Sequence, residues 1–330
     1  MGTVIAGTGH VVPDRVVTNE ELAPQIGTTA SWIAERTGIL QRHYIAHGES
    51  NASLAEQAAR RALADAGWTP GDVDAIVLAT LSADAVFPGV GVALAARLGS
   101  RTIPALDVRN QCSGFLYGLS VADAWLATRR YQRVLLVGSE VHSPSLDFRP
   151  QGRDVTALFG DGAGAVALQW SDDDEGLIDV RLGADGTGME SLWCEVPSAR
   201  LHPSSSATLL AEGRHFPKMQ GRAVFKRAVE VLSQQIQQRI EEVPQLSPLD
   251  EVLFVPHQAN RHISTLVAQR VGLAESQIVT TLDQYGNTTA ASIPSALDIA
   301  RKDGRAPRGR VVLSSAFGSG FTWGTAIWRM

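Results

Sequence analysis

Cysteine is nearly absent from this 330-residue sequence, which contains only Cys112 and Cys194. Two cysteines cannot build the disulfide framework of a small secreted protein, so we expect a reduced, cytoplasmic setting. The N-terminus lacks a basic segment followed by a long apolar core, and a signal peptide is therefore not predicted. Apolar runs of membrane-spanning length are missing as well, so no membrane association is expected.

An excess of charge of either sign is also missing. The 29 Lys and Arg residues and the 34 Asp and Glu residues leave a net charge of −5. Without a global basic field, a nucleic-acid partner is not expected, and an anionic partner would need a local basic patch. The 44% of apolar and 19% of charged residues are ordinary for a soluble globular enzyme. The length suits two halves of about 150 residues each.

Four segments of the first half resemble four segments of the second half, in the same order and at a nearly constant offset. The pairs are 68–80 with 245–257, 95–99 with 268–272, 105–114 with 281–290, and 133–141 with 310–318. Such an ordered repeat predicts two copies of one α/β unit, which we place at residues 1–172 and 173–330. In the third pair, each segment is interpreted as a strand end that leads into a helix start.

Short apolar strands alternate with amphipathic helices in both copies. Residues 53–67 and 224–243 have the helical spacing of apolar residues, and the first of these runs ends at a glycine. Apolar strands separated by helices predict an α/β fold with mixed, largely parallel sheets that helices cover. Residues 187–217, which contain several prolines, predict loops.

The repeat brings three candidate site residues to one side of the molecule. Cys112 in the first copy corresponds closely to Asn287 in the second, and His257 follows a strand whose first-copy counterpart ends near Leu81. Unpaired N–H groups and the dipole at a helix start stabilise a thiolate, so we expect a lowered pKa for Cys112. The combination predicts an active site with a cysteine nucleophile.

Each of these residues also has a structural alternative. A lone cysteine is commonly an inert core residue, a histidine after a strand is usually structural, and an asparagine after a glycine often caps a helix or forms a turn. The three residues together favour a catalytic site over three separate structural roles. A zinc site is not expected, because His257 and His262 have a poor spacing for one helical face and no carboxylate cluster accompanies them.

Five sequence motifs point to one enzyme family. The stretches "CSGF", "FGDGAGAV", "VPHQANRHI", "YGNTTAASIPSAL" and "FGSGFTWGTA" resemble the motif series of the β-ketoacyl-acyl carrier protein synthase III family of condensing enzymes. The likeness extends from the "GTG" near the start to the final strand. It implies a thiolase-like fold of two pseudo-symmetric α/β halves in a layered α-β-α-β-α arrangement, and a homodimer. It also implies that Cys112, His257 and Asn287 take the catalytic triad positions.

The resemblance implies a decarboxylative condensation that starts fatty acid synthesis or a related pathway. Thiolate Cys112 would take the acyl group of an acyl-CoA, and a malonyl thioester, expected on acyl carrier protein, would then lose CO₂. Neutral His257 and Asn287 would each donate a hydrogen bond to the developing enolate. The backbone N–H groups of Cys112 and Ser319 would form the oxyanion hole, with serine at 319 where the family commonly has glycine. Acyl-CoA is a substrate, and no cofactor or metal is expected.

Contacts to CoA are implied by motif position in the same family. The adenine is expected between Trp32 and Arg153, a phosphate at Arg36, and the pantetheine arm near Asn260. A guanidinium group forms the forked hydrogen bonds that suit a phosphate. Simple core packing is the alternative for Trp32.

An acidic carrier protein is expected to dock on basic side chains around the tunnel mouth. The resemblance implies Lys226, Arg227 and Arg261 for this role, with a solvated helix face as the alternative. The best-known members of the family have their arginine one position later than Arg261, so this chain departs from the pattern there.

The acyl pocket is implied for Phe87, His142 and Phe159. The resemblance places Phe87 across a dimer interface, where it would close the pocket of the neighbouring subunit; core packing is the alternative. His142 stands where an aliphatic residue is expected, and residues 187–217 are longer than expected. These departures leave acetyl and medium-chain primers equally open.

Three other protein classes share part of this residue pattern. The order and spacing of Cys112, His257 and Asn287 also suit a papain-like hydrolase, but its "C-G-[SA]-C-[WY]" motif is absent. A biosynthetic thiolase would have a second cysteine near the C-terminal glycine-rich turn, and "SSAFGSGF" has none. A non-catalytic partner subunit of a condensing complex would often lose triad residues, whereas this chain keeps all three.

Overall fold

The computed structural model describes residues 2–173 and 175–330. The strands are β1 (Gly2–Val11), β2 (Arg15–Thr18), β3 (Gln41–Tyr44), β4 (Ala75–Ala79), β5 (Ala105–Val108), β6 (Arg133–Glu140), β7 (Gly162–Ser171), β8 (Gly176–Ala184), β9 (Leu192–Trp193), β10 (Lys218–Met219), β11 (Leu253–Pro256), β12 (Val311–Gly318) and β13 (Thr322–Arg329). The helices are α1 (Asn19–Leu22), α2 (Ala30–Thr37), α3 (Asn51–Ala66), α4 (Val90–Leu98), α5 (Gly114–Ala127), α6 (Arg153–Thr156), α7 (Ala207–Ala211), α8 (Gly221–Glu242), α9 (Arg261–Val271), α10 (Leu282–Tyr285) and α11 (Ser292–Lys302).

Two sheets of matching topology form the framework. Their strand orders are β1-β7-β6-β4-β5 and β8-β13-β12-β11. In the first sheet β4 pairs in parallel with β6, and in the second β11 pairs in parallel with β12. An antiparallel strand follows in each, β7 on β6 and β13 on β12. This correspondence confirms the predicted duplication. The change from one copy to the next falls between β7 and β8, and the domain boundary at 172/173 stays a prediction.

The third pair of repeated segments differs between the copies. Strand β5 precedes Cys112, but the equivalent segment begins with helix α10, so the predicted strand end at residues 281–283 is wrong. The counterpart of β5 is reduced to one parallel bridge, between Ile278 and Phe254. The chain leaves the sheet here because the Gln258 side chain accepts the Thr281 N–H at 3.0 Å, which replaces a neighbouring strand as the backbone partner.

The elements form five layers, as the family resemblance implied. Helices α5 and α11 lie between the sheets, α3 and α4 cover the outer face of the first sheet, and α8 and α9 cover that of the second. Successive side chains of a strand face opposite sides. In β4, accordingly, Val77 faces the central layer while Ile76 and Leu78 face α3 and α4. Strands buried on both faces explain the continuous apolar runs of the sequence.

Local sequence sets the bounds of the predicted helices. Helix α3 begins after Ser50, whose hydroxyl accepts the Ser53 N–H at 3.2 Å, and it ends at Gly67, where φ is 69°. Glycine suits that left-handed end because it has no Cβ. Residues 187–217 contain only short elements and are otherwise irregular. Within the described ranges, no helix has the length and apolarity needed to cross a membrane.

Candidate active site

Cys112 lies in a single turn of 3-10 helix between β5 and α5. The preceding Gln111 has a φ of 45°, a left-handed conformation that residues with a side chain rarely adopt. The end of β12 comes so close that a Cβ added to Gly318 would lie 3.0 Å from the Cys112 nitrogen. The tight turn and the adjacent strand therefore hold the cysteine backbone in one place.

The pKa of Cys112 is raised to about 12, chiefly by burial and secondly by the Glu140 carboxylate, while a hydrogen bond from the cysteine's own backbone N–H to its sulfur acts in the opposite direction. The lowered pKa that the sequence predicted is therefore wrong. A helix terminus contributes about 0.3–1 kcal/mol at an exposed site, and burying an anion costs more than that. The thiol is protonated at neutral pH, so its use as a nucleophile requires a base.

His257 follows β11 directly, and its backbone N–H donates to the Ser315 carbonyl of β12 at 2.7 Å. The ring Nδ1 lies 2.7 Å from the Oγ of Ser292, the first residue of α11. The ring Nε2 is buried and has no hydrogen-bond partner within residues 2–173 and 175–330. Burial lowers the pKa of His257 to about 3, so the ring is neutral at pH 7. One ring nitrogen is thus left for a reactant.

The Ser292 hydroxyl decides which ring nitrogen of His257 carries the proton. Its Oγ also lies 2.8 Å from the Thr289 carbonyl oxygen. When the hydroxyl donates to that carbonyl, Nδ1–H donates to Ser292 and Nε2 keeps a free lone pair. When the hydroxyl donates to Nδ1, Nε2 carries the proton and becomes a donor. Both states of the neutral ring are therefore compatible with the same contacts.

Asn287 is held through both its backbone and its side chain. Its N–H donates to the Leu158 carbonyl at 2.8 Å, and its carbonyl accepts the Gly160 N–H at 3.1 Å. The side-chain Oδ1 accepts the Thr289 N–H at 2.9 Å. Because the oxygen is engaged, the orientation of the amide is fixed and its NH₂ group remains to donate.

One 3-10 turn, Thr289–Ala291, joins the surroundings of the three residues. It starts at the residue that contacts Asn287, it leads into the Ser292 that contacts His257, and it packs against the turn of Cys112. The structure therefore brings Cys112, His257 and Asn287 around one segment. Their catalytic roles stay predictions.

The backbone that follows β12 also lies beside Cys112. Ser319 comes directly after the closely packed Gly318, and its carbonyl accepts the Thr322 hydroxyl at 3.2 Å. The Ser113 hydroxyl in turn donates to the Thr322 oxygen at 2.8 Å. These bonds tie the glycine-rich turn to the residue after the cysteine, so both backbone segments expected to form the oxyanion hole are adjacent.

Glu140, at the end of β6, is a fully buried carboxyl group that the sequence analysis did not identify. It accepts hydrogen bonds from the Ser82 hydroxyl at 2.5 Å, the Thr80 hydroxyl at 3.2 Å and the Leu81 N–H at 3.2 Å. Burial raises its pKa to about 7, although these hydrogen bonds act to lower it. The group therefore titrates near neutral pH beside Cys112.

Two arginine side chains lie over the indole ring of Trp32. The guanidinium carbon of Arg36 lies 5.7 Å from the centre of the indole ring, and that of Arg153 lies 5.4 Å from it. The indole is half-buried and both guanidinium groups are exposed. Cations over an aromatic face are stabilised by its quadrupole, and the same arrangement offers stacking surface and positive charge to a nucleotide.

Asn260 has a structural role as the cap of α9. Its Oδ1 accepts the His262 N–H at 2.9 Å, and its Nδ2 donates to the Arg36 carbonyl at 2.9 Å. His262 Nε2 donates to the Glu35 carbonyl at 2.7 Å. Asn260 thus joins α9 to α2 and keeps one amide N–H for a ligand.

The three residues expected in the acyl pocket lie in different environments. Phe87 is 83% exposed in the loop before α4, so core packing is excluded for it. His142 and Phe159 are buried, with ring centres 4.5 Å apart. His142 also contacts Thr289, its Nε2 lying 2.6 Å from the hydroxyl oxygen. Within one chain, His142 and Phe159 are therefore in contact, whereas Phe87 is exposed and does not contribute to the same pocket.

The basic residues expected at a docking surface are partly paired. Lys226 on α8 is exposed and lies 3.9 Å from Glu230. Arg227 forms an ion pair with Asp185 at 3.1 Å. Arg261 is exposed at the first position of α9. Exposed pairs of this kind contribute little to stability, so the side chains remain available to a partner.

A small cavity of about 20 Å³ lies beside His257. Its wall is mostly apolar and includes Ala228, Ala259, Ile263 and Phe317. Such a volume holds about one water molecule, so a substrate arm would have to widen it. Among residues 2–173 and 175–330, no group of three or more His, Cys, Asp or Glu side chains is arranged to hold a metal ion.

Sequence reasoning missed Thr289 and Ser292, although both stand in the quoted stretch "YGNTTAASIPSAL". Small hydroxyl residues at a helix start usually indicate capping. Their partners here are 147 and 35 residues away in the chain, at His142 and His257. A local pattern carries no signal for contacts of that range.

Two family models each match a part of the chain. Residues 106–186 match the family "3-Oxoacyl-[acyl-carrier-protein (ACP)] synthase III", and residues 243–330 match the family of its C-terminal part. The chain is 42% identical over 325 residues to the β-ketoacyl-[acyl-carrier-protein] synthase III of Methylococcus capsulatus, with 98% of each chain covered. It is also 42% identical over 329 residues to the enzyme of that name from Acidiphilium cryptum, with 99% of each covered.

Solved structures agree with this relationship. The 3-oxoacyl-[acyl-carrier-protein] synthase III of Aquifex aeolicus VF5 is 34% identical, with a TM-score of 0.90 over 100% of both chains. The priming β-ketosynthase of the R1128 polyketide biosynthetic pathway is 33% identical, with a TM-score of 0.90 over 99% of this chain and 96% of that one. These matches confirm the predicted thiolase-like fold. The chain therefore belongs to the β-ketoacyl-acyl carrier protein synthase III family, the thiolase-fold acyltransferases that carry out the decarboxylative condensation initiating fatty acid synthesis.

Proposed function

We propose that this chain condenses an acyl-CoA primer with malonyl-acyl carrier protein to a 3-oxoacyl thioester, with Cys112 as nucleophile and His257 and Asn287 as hydrogen-bond donors. One observation carries the assignment of roles: the unpartnered Nε2 of His257 and the fixed amide of Asn287 are held by one turn, which packs against Cys112. A buried polar atom without a partner is costly, and a reactant that binds it removes that cost.

The first half-reaction transfers the primer to Cys112. The Cys112 sulfur attacks the carbonyl carbon of acyl-CoA while its proton passes to the lone pair of His257 Nε2 in the same step, because a thiol with a pKa of about 12 does not ionise beforehand. The backbone N–H groups of Cys112 and Ser319 bind the resulting oxyanion. Collapse of the tetrahedral intermediate breaks the bond to the CoA sulfur, which leaves as a thiol with the proton from His257.

The second half-reaction forms the carbon–carbon bond. The malonyl thioester loses CO₂, and the electron pair of the broken bond forms an enolate. His257 Nε2–H and the Asn287 NH₂ group donate to its oxygen, in the ring state where Ser292 donates to Nδ1. The enolate carbon then attacks the acyl-Cys carbonyl, and the Cys112 thiolate leaves. The leaving thiolate takes up one proton from solvent, which restores the Cys112 thiol, and with that proton the steps balance; we propose no cofactor.

CoA binding is assigned to the mouth formed by α2, α6 and α9. We propose that adenine enters between Trp32 and Arg153, which already face each other at 5.4 Å, and that Arg36 binds a phosphate. The remaining N–H of Asn260 would donate to the pantetheine arm. The two exposed guanidinium groups support this assignment because they place positive charge at the aromatic surface.

We propose that the acidic carrier protein docks on Lys226, Arg227 and Arg261, and that the enzyme is a homodimer. Support for the dimer comes from exposed apolar side chains beside edge strand β5: Val86, Phe87, Val92 and Leu106. An edge strand next to apolar surface is a ready site for pairing with a second copy. Phe87 would then enter the pocket of the neighbouring subunit. The cytoplasmic location stays a prediction.

A short primer is supported over a medium-chain primer. His142 stands where an aliphatic residue was expected, a difference that left room for a longer primer. In the structure its ring packs on the ring of Phe159, and because both are buried they fill that part of the acyl pocket. A longer primer would have to displace this pair.

Intact-mass analysis after incubation with acetyl-CoA tests the nucleophile. Wild type and Cys194→Ser should each gain one acetyl group, because Cys194, an exposed residue directly after β9, is not part of the proposed site, and Cys112→Ser should gain none. Adding malonyl-acyl carrier protein should then release the label as a 3-oxoacyl product. Acylation that persists without Cys112 would overturn the proposed mechanism.

A further inference from the structure

His142 is a buried histidine with a specific polar contact outside the set of reacting groups. Its Nε2 lies 2.6 Å from the Thr289 hydroxyl oxygen. Its own position is fixed, since its backbone N–H donates to Asp161 at 2.6 Å and its ring packs on Phe159. Burial lowers the pKa of His142 to about 3, so the ring is neutral and acts as a hydrogen-bond partner rather than a charge.

Thr289 is the residue through which both hydrogen-bond donors are held. Its N–H donates to Asn287 Oδ1 at 2.9 Å. Ser292 follows the turn that Thr289 begins, and its Oγ lies 2.8 Å from the Thr289 carbonyl oxygen and 2.7 Å from His257 Nδ1, so the position of the turn sets where Ser292 meets the ring. A displacement of Thr289 would therefore move the Asn287 amide and the His257 ring together.

The backbone of Thr289 adopts a conformation that needs support from its surroundings. Its φ is 50°, and β-branched residues rarely occupy this left-handed region. Strained residues persist where neighbouring contacts hold them, and they concentrate at functional sites. The bond from His142 is the side-chain contact that fixes Thr289 in this conformation.

We propose that His142 is a positioning residue for condensation: through the Thr289 hydroxyl it holds the turn that aims the Asn287 amide and the His257 ring at the enolate. The inference rests on the proposed function and assigns His142 a second role besides its place in the wall of the acyl pocket. A wall residue would change the preferred primer, whereas a positioning residue changes the condensation rate with every primer.

The test compares two rates in each variant: acylation of Cys112 by acetyl-CoA, followed by intact mass, and condensation with malonyl-acyl carrier protein. We expect His142→Leu and Thr289→Val to lower condensation by about ten- to a hundredfold more than acylation, since small misplacements of reacting groups have effects of that size. His142→Gln and Thr289→Ser, which keep a polar partner, should recover most of the loss. The double variant His142→Leu/Thr289→Val should be no slower than the slower single variant, because both substitutions break the same contact.

Thr3→Val is the matched control. Thr3, near the start of β1, is a fully buried threonine whose hydroxyl donates to Asp123 of α5 at 2.6 Å. The change should lower stability in the same way as Thr289→Val but leave the ratio of condensation to acylation unchanged. If His142→Leu fails to fold by circular dichroism, His142→Gln and the two Thr289 variants provide the same comparison.

Two results would overturn the inference. In the first, His142→Leu and Thr289→Val keep the wild-type ratio of rates while Asn287→Ala loses condensation. In the second, His142→Leu changes only the order of preference among acetyl, butyryl and octanoyl primers. If Asn287→Ala and His257→Ala themselves condense at wild-type rate, the failure lies in the proposed function instead.

Discussion

Nδ1 of His257 lies 2.7 Å from the hydroxyl oxygen of Ser292, a residue 35 positions later in the chain. Since Ser292 also contacts the Thr289 carbonyl, its single proton determines whether His257 Nε2 accepts or donates. The two half-reactions need one state each. A neutral ring with two accessible proton positions is therefore suited to both steps, and burial keeps it neutral.

The first prediction concerns this contact. Ser292→Ala removes the hydroxyl that orients the ring, so condensation should fall by about tenfold or more, the cost of a misplaced donor. Acylation should fall less, because a lone pair on Nε2 suffices for it. Nitrogen-15 NMR of labelled histidine in both forms measures the proton positions directly. An unchanged spectrum and an unchanged rate would contradict the assignment.

The second prediction separates the roles of the donors. Removing one oxyanion donor typically costs about a hundredfold or more in rate. His257→Ala and Asn287→Ala should both lose condensation by that amount. Asn287→Ala should retain most of the acylation of Cys112, whereas His257→Ala should also slow acylation, because it removes the base that accepts the thiol proton. Single-turnover measurements with each substrate give the two rates. A product rate near wild type in either variant would exclude that residue from the enolate site.

The third prediction is a dependence of stability on pH that Glu140 causes. Its pKa is raised from 4.5 to about 7, so between these values the unfolded chain loses the proton and the folded chain keeps it. Glu140 therefore makes its full contribution to the free energy of unfolding below about pH 4.5. That contribution, up to about 3 kcal/mol, is lost as the pH rises through 7. The free energy of unfolding of Glu140→Gln, from urea titrations at several pH values, should change less over this window. Equal slopes for the two proteins would contradict the prediction.

The fourth prediction concerns CoA. A base stacked on an aromatic ring is worth about 1–3 kcal/mol, so Trp32→Ala should raise the KM for acetyl-CoA by about tenfold and leave kcat nearly unchanged. Acetyl-pantetheine lacks the adenine and is the control substrate. The variant should use it as well as the wild type does. An equal loss with both substrates would indicate a packing role for Trp32.

The fifth prediction concerns the primer. Each methylene that a pocket buries is worth about 0.8 kcal/mol, so an open pocket should favour octanoyl transfer clearly. Because His142 and Phe159 pack against each other, we expect kcat/KM to fall from acetyl- through butyryl- to octanoyl-CoA. A rise along this series would mean that the pair moves apart and the pocket is long.

The sequence by itself determined the elements that recur in both copies. Apolar strands such as β4 and β12 and amphipathic helices such as α3 follow from local periodicity, and the repeat placed Cys112 and Asn287 at equivalent positions. The motifs then identified the family, because they combine residue type with order along the chain. Where the copies differ, local similarity failed: residues 281–283 leave the sheet because a distant side chain, Gln258, takes their backbone donor.

Tertiary structure alone decided the chemistry of the individual groups. The helix start of Cys112 predicted a low pKa, but burial beside Glu140 raises it, since desolvation depends on neighbours that come from the whole chain. The contacts of His257 with Ser292 and of His142 with Thr289 join residues far apart in sequence, through side chains whose positions only packing fixes. Local patterns set where strands and helices form, whereas long-range packing sets protonation, orientation and the direction in which each side chain points.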